Sequence, residues 1–216
     1  MVSGALRGTH IESKMVQKAK EVFGTKKPLF LPFILTKEEK QEVRFSEEEA
    51  VEVFLEPVLS PPTVFIFGGG HIAFYLAKMA KMADFKVVVV DYRPEFANRG
   101  RFPNVDEVFL VSDRNFLDNL RINEASYLVI ITASPFYDGM ILEQAVKTKA
   151  KYIGMIGGRN KARILFQNLR ERGISDDMLN GVHVPIGLDI GAETPVEVAV
   201  SILSELIKVK SLKASA

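Results

Sequence analysis

The residues whose types and spacing could do chemistry begin with Gly68, Gly69 and Gly70. They sit between Val64-Phe65-Ile66-Phe67 and a helical pattern that starts at His71. A glycine turn between a buried strand and a helix lets backbone amides meet a diphosphate at the helix N-terminus, where the helix dipole is positive. Gly68 permits the tight turn, Gly70 the approach of the ligand, and Ala73 the close packing of helix on strand. Asp91 ends the next apolar run, Val87-Val88-Val89-Val90. It comes about 20 residues on, where a carboxylate accepts hydrogen bonds from a ribose hydroxyl. The pattern points to NAD or another adenine dinucleotide. The acid disfavours the extra phosphate of NADP, whereas Arg93, two residues on, could pair with one.

Two later runs are not explained by packing. In Tyr152-Ile153-Gly154-Met155-Ile156-Gly157-Gly158-Arg159-Asn160-Lys161, a strand ends in paired glycines and basic residues open a helix. Cations at a helix N-terminus are unfavourable unless an anion sits there. Arg159 and Lys161 are either arms for a second phosphate or carboxylate, or solvent-facing residues of an ordinary turn. In His183-Val184-Pro185-Ile186-Gly187-Leu188-Asp189-Ile190-Gly191-Ala192-Glu193-Thr194-Pro195, two glycines and two prolines within the run specify a loop. Asp189 either faces the crevice or caps its own loop. His71 either touches a ligand phosphate or only closes the turn, and His183 reads as a packed or exposed loop residue. The candidate cofactor-binding set is Gly68, Gly69, Gly70, His71, Ile72, Asp91, Tyr92, Arg93, Thr132, Ala133, Ser134, Gly157, Arg159, Lys161 and Asp189. No catalytic residue is assigned. With no cysteine, and with His10, His71 and His183 far apart in sequence, no metal site is assigned either.

These residues need elements to position them. After Ser60-Pro61-Pro62, which marks a boundary, strands and helices alternate. Strands are predicted at Val64–Phe67, Lys86–Asp91, Glu107–Val111, Tyr127–Thr132 and Tyr152–Ile156. Helices are predicted at Gly70–Met82, Asp113–Leu120, Asp138–Thr148 and Arg159–Arg172, the last ended by Gly173. A final helix starts at Thr194 as N-cap, with Pro195 at N1 and Glu197 at N3. This alternation predicts an α/β, Rossmann-like, doubly wound parallel sheet over residues 61–216, with ligands at the carboxyl ends of the strands. Residues 1–60 form a small α+β N-terminal domain: a helical pattern from Ile11 to Phe23, an extended run Leu29–Leu35 with Pro32 at an edge or bulge, and a strand at Val51–Phe54. Thr36 with Glu39 and Ser46 with Glu49 have the spacing of capping boxes.

Composition narrows the partners. The 216 residues are 47% hydrophobic and 25% charged, enough for a sizeable core. A net charge of +1 offers no long-range attraction to nucleic acid or anionic lipid. There is no membrane-spanning run and no leader pattern, so a cytoplasmic protein is expected. The undersized N-terminal part hints at a homodimer.

The glycine turn, Asp91-Tyr92-Arg93-Pro94-Glu95-Phe96-Ala97 with Arg101-Phe102-Pro103, the Tyr152–Lys161 run and Pro185–Pro195 together resemble the XdhC/CoxI family. These are accessory proteins of molybdenum hydroxylases such as xanthine dehydrogenase and carbon monoxide dehydrogenase. The resemblance covers most of residues 60–216, and Val53-Phe54-Leu55-Glu56-Pro57 is similar to the end of the family's N-terminal domain. It implies a Rossmann domain and a maturation role: binding the molybdopterin cofactor, aiding its sulfuration beside a cysteine desulfurase, and delivering it to a molybdenum hydroxylase. The chain departs from the family in two places. The N-terminal domain is shortened and carries Arg44-Phe45-Ser46-Glu47-Glu48-Glu49-Ala50 where relatives hold a cysteine. Ala133-Ser134-Pro135-Phe136-Tyr137-Asp138 lacks the relatives' histidine-aspartate pattern. Two other functions fit the same fold: an NAD-dependent oxidoreductase, for which no proton-transfer set is evident, and a nucleotide-sensing regulatory domain.

Overall fold

The computed structural model describes residues 10–25, 28–33, 51–56, 61–111 and 115–211. The chain divides into two compact units, Met1–Ser60 and Pro61–Ala216. In the first, helix α1 (His10–Thr25) precedes strands β1 (Leu29–Phe33) and β2 (Val51–Leu55). The strands pair antiparallel, Leu29 opposite Leu55 and Phe33 opposite Val51. Among the described residues each strand of this pair has one unpaired edge, where a proline is tolerated. The expected capping boxes at Thr36 and Ser46 lie outside the described residues.

The second unit runs β3 (Thr63–Phe67), α2 (His71–Met82), β4 (Lys86–Asp91), β5 (Glu107–Leu110), β6 (Ser126–Ile130), α3 (Pro135–Ala145), β7 (Tyr152–Met155), α4 (Arg159–Glu171), α5 (Asp176–Asn180), β8 (Val182–His183) and α6 (Pro195–Ser211). The sheet order is β5-β4-β3-β6-β7-β8, with every pair parallel. This is the dinucleotide-fold order, with its switch point between β3 and β6.

Near-continuous apolar strands make both faces of the sheet into core. Val64, Ile66, Val87, Val89 and Val129 point to one face, against Ala73, Leu76 and Ala80 of α2 and Ala199, Ile202 and Leu206 of α6. Phe65, Phe67, Val88, Val90, Leu128 and Ile130 point to the other, against Ile141, Leu142 and Ala145 of α3 and Leu169 of α4. The two-residue period of a strand sorts successive side chains between these layers. The Rossmann architecture expected from the alternation is the architecture observed.

Some boundaries differ. Helix α3 starts at Pro135, three residues before the expected Asp138, because Ser134 takes the N-cap position and proline's fixed φ suits the first turn. The described part of the expected Asp113–Leu120 helix is a turn over residues 116–119. The short α5 and β8 had no periodic signal to announce them. At α6 the capping box forms: the Glu197 carboxylate accepts from the Thr194 and Glu193 amides at 2.9 Å, and the Glu197 amide donates to Thr194 Oγ1 at 3.3 Å. Thr194→Ala is expected to cost about 1 kcal/mol, read as a lower melting temperature.

Candidate functional site

The loops that leave the carboxyl ends of β3, β4, β6 and β7 define one edge of the sheet. The glycine turn sits next to the β6 exit. Gly68 has φ +107°, and a Cβ there would lie 2.6 Å from the Ile131 carbonyl oxygen and 2.9 Å from Thr132 Cα. Only glycine fits both the angle and the space. Gly70 is the N-cap of α2, and a Cβ on it would meet nothing within 4 Å. The first turn of α2 carries no acid, and His71 is exposed with no hydrogen-bond partner among the described residues. The open approach is therefore at Gly70, over the free amides of the helix start.

Asp91 is placed at the end of β4 as expected, but its surroundings differ from those of a waiting ribose acceptor. It is 1% exposed. Oδ2 accepts from the Gly69 amide at 2.6 Å and from Arg93 Nη2 at 2.8 Å. Oδ1 accepts from the Arg93 amide at 2.9 Å and Arg93 Nε at 3.0 Å. All four acceptor positions of the carboxylate are used within the chain. Burial pushes the Asp91 carboxyl up, but the Arg93 guanidinium and the two amides outweigh it and hold the group below the usual carboxylate range. Tyr92 stacks on Tyr137, ring centroids 4.1 Å apart, and the Arg93 guanidinium lies 5.2 Å from its ring.

A second polar group forms at the exits of β6 and β7. Asp138, in the first turn of α3, is fully buried. Its Oδ1 accepts from Thr132 Oγ1 at 2.6 Å and from the Thr132 amide at 3.2 Å, and its Oδ2 receives Lys161 Nζ of α4. Lys161 Nζ also donates to the Ile156 carbonyl at 3.2 Å. Burial dominates at Asp138 and raises its pKa despite the Lys161 and Thr132 partners. Gly157, at φ +137°, lets the chain pass beside the Lys161 stem. Lys161 thus ties α4 to α3 and offers at most one remaining ammonium hydrogen to a ligand.

Arg159, by contrast, is exposed and has no hydrogen-bond partner among the described residues. A Cβ on the adjacent Gly158 would meet nothing within 4 Å. Ser134 and Ala133 flank the α3 start, Ser134 half-buried and Ala133 exposed. Ile72 is half-buried and packs on the core. Asp189 is exposed, and among the described residues it makes no capping bond to its own loop. That loop is pinned elsewhere. Glu205 of α6 accepts from the Gly187 amide at 2.7 Å, and Ser201 Oγ donates to the Leu188 carbonyl at 2.6 Å. Glu205 also receives the Tyr152 hydroxyl and pairs with His183 Nδ1 at 2.8 Å. Burial, then the Glu205 carboxylate, push the Tyr152 hydroxyl far above its ordinary value. Asp138, at the start of one helical pattern, and Glu205, inside another, were missed because Lys161 and Tyr152, the partners that mark them out, are distant in sequence.

Among the described residues no cluster of His, Asp and Glu could hold a metal ion, and no helix is long and apolar enough to cross a membrane. A cleft of about 530 Å³ lies between α3 and α4 and is lined by Phe136, Met140, Leu165 and Arg172, with none of the glycine-turn residues. The edge carrying Gly70 and Arg159 is the better candidate, because Gly70 and Gly158 face open space and Arg159 has no hydrogen-bond partner among the described residues.

Residues 64–206 match the family model of the XdhC Rossmann domain. The chain belongs to that family. This XdhC chain is 26% identical over 163 residues to a probable xanthine dehydrogenase component of Bacillus subtilis, covering 76% of this chain and 47% of that protein. It is 25% identical over 213 residues to the uncharacterized protein YqeB of Escherichia coli, covering 97% of this chain and 39% of that one. It therefore spans less than half the length of the curated relatives it matches. The crystal structure of a xanthine dehydrogenase from Bacillus halodurans has the same fold. Its TM-score is 0.64 at 22% identity, over 99% of this chain and 85% of that one.

Proposed function

We propose that this chain is the cofactor-binding part of an accessory factor for a molybdenum hydroxylase of the xanthine dehydrogenase type. The XdhC Rossmann match over residues 64–206 carries the reading. The Bacillus subtilis relative, whose name places it with xanthine dehydrogenase, supports the choice of target. The cofactor is phosphate-bearing, either molybdopterin in one of its forms or an adenine dinucleotide. Its phosphates lie on the amides of Gly70, His71 and Ile72, with Arg159 as the charged arm at the neighbouring helix start. Two observations support that placement: the open approach at Gly70 and Gly158, and an Arg159 guanidinium with no hydrogen-bond partner among the described residues. The chain has no cysteine, so any sulfur the cofactor receives comes from a partner, for which a cysteine desulfurase is the fitting class. A homodimer and a cytoplasmic location complete the proposal.

The test is retention of cofactor. Molybdopterin released from a purified molybdenum hydroxylase is mixed with the chain, and the bound fraction is measured after gel filtration by pterin fluorescence. The expected result is stoichiometric retention, with Arg159→Glu weakening binding about tenfold to a hundredfold, the weight of one charge-assisted contact. If neither molybdopterin nor NAD is retained, the cofactor-binding reading fails. If molybdopterin is held equally well by Arg159→Glu, the phosphate lies elsewhere.

A further inference from the structure

The β4 side of the crevice is where a dinucleotide fold places the adenine ribose, on the acid that ends the second strand. In this chain that ground is built over. Arg93 folds back onto Asp91 through two side-chain nitrogens, at 3.0 and 2.8 Å. Its guanidinium then lies 3.9 Å from the centroid of the Phe96 ring. Arg101 sits 5.1 Å from the same ring and donates from Nε to the Gly69 carbonyl at 2.8 Å. The Phe96 carbonyl presses on Gly69 so closely that a Cβ there would overlap it.

The segment is not a loose flap. Phe96 and Ala97 amides donate to the Arg93 carbonyl at 3.0 and 2.9 Å. Asn98 bonds the Pro94 and Glu95 carbonyls, and the Arg99 guanidinium bonds those of Val105 and Asp106. Opening it would expose the Asp91 carboxylate with half its partners lost and unstack two guanidinium planes from one aromatic ring.

We infer that the Arg93–Phe96–Arg101 stack fills the adenosine subsite of this Rossmann fold. The crevice therefore selects a phosphate-ended ligand whose organic part lies over β6 and β7, not an adenine nucleotide seated on Asp91. This rests on the phosphate-binding reading above and narrows it to ligands that do not seat adenosine on Asp91. On the β6 and β7 side the structure leaves Gly158 open and Arg159 and Ser134 accessible, so both the charge and the space lie there.

The test has two arms on the full chain. In the first, a calorimetric series compares pyrophosphate, ADP, NAD and released molybdopterin. ADP and NAD are expected to bind within about threefold of pyrophosphate, because adenosine finds no subsite, and molybdopterin at least about tenfold tighter. In the second, the Arg93 Nε–H signal is followed by nitrogen-15 NMR and assigned by its loss in Arg93→Lys, which keeps the charge but not the fork or the stack. It is expected to exchange slowly with solvent and to stay unchanged on adding NAD. NAD binding about tenfold tighter than pyrophosphate, with loss of that signal, overturns the inference. If no phosphate compound binds at all, the cofactor reading falls. The Arg93 signal then decides this inference alone: slow exchange upholds the filled subsite, and fast exchange overturns it.

Discussion

Asp91→Ala is expected to lower the stability of the folded chain by about 3 kcal/mol. At roughly 2–4 °C per kcal/mol this is a fall of about 6–12 °C in melting temperature. The carboxylate removed is 1% exposed and is the common acceptor for the Gly69 amide, the Arg93 amide and both forks of the Arg93 side chain. Removing one partner of a buried ion pair strands the other, at a cost of about 3–5 kcal/mol. Arg93 keeps 23% of its side-chain surface in solvent, which screens the loss and places the estimate at the lower end of that range. Asp91→Asn is expected to fare little better, since its amide group would point hydrogens at a guanidinium that has only hydrogens to offer. A residue that merely waited for a ribose would give the opposite result, unchanged melting with altered ligand affinity. Thermal unfolding of both variants beside the parent distinguishes the two, and a change of less than about 2 °C would refute the clamp.

The same geometry sets the acid response. Asp91 and Glu205 both have folded-state pKa values below their ordinary ones. Each therefore contributes stability that is present above the ordinary carboxylate value and is lost as pH falls through the depressed folded value. Asp138 runs the other way. Burial raises its folded pKa, so its contribution is complete below the ordinary value and declines as pH rises through the raised one, where a charged carboxylate must be held in the core.

The sequence carried the fold in its periodicities. Val64–Phe67 and Val87–Asp91, too apolar to have a wet face, announced a sheet covered on both sides, and the glycine turn between them announced the switch-point edge. Thr194, Pro195 and Glu197 announced the start of α6, because a capping box is a local device within one turn. The polar chemistry of the edge was harder to read. Lys161 could be named as a basic residue at a helix start, but its partner Asp138 lies 23 residues away and is brought to it by the pairing of β6 with β7. Glu205 and Tyr152 are 53 residues apart. Asp91 was found but not its orientation: the chain could not reveal that Arg93 and Phe96 turn back over the acid instead of leaving it to solvent.

Glu205→Ala is expected to be the second severe substitution, at about 3–5 kcal/mol, with a local signature that Asp91 variants lack. Glu205 gathers three donors from three elements: the Tyr152 hydroxyl of β7, His183 of β8 and the Gly187 amide of the loop before α6. Tyr152 is 1% exposed, so its hydroxyl has no water to turn to once the carboxylate is gone. An orphaned buried donor costs about 1–3 kcal/mol, and two are created together, the Tyr152 hydroxyl and the Gly187 amide, while the part-exposed His183 ring can turn to water. Glu205→Gln separates charge from hydrogen bonding. Its carbonyl oxygen can still serve Tyr152 and Gly187, which share Oε2, and its amide can donate to a neutral His183 ring, so it is expected to keep most of the stability. The loop supplies the second readout. With Glu205 lost, the hydrogen bonds left between residues 187–188 and α6 among the described residues are those of Ser201, through its hydroxyl to the Leu188 carbonyl and its carbonyl to the Leu188 amide. Hydrogen exchange at Gly187 and Leu188 is expected to rise sharply in Glu205→Ala while β3 and β4 stay protected. Exchange that rises uniformly across the sheet would mean that Glu205 is an ordinary core residue and that the Pro185–Pro195 loop is held in place by something else.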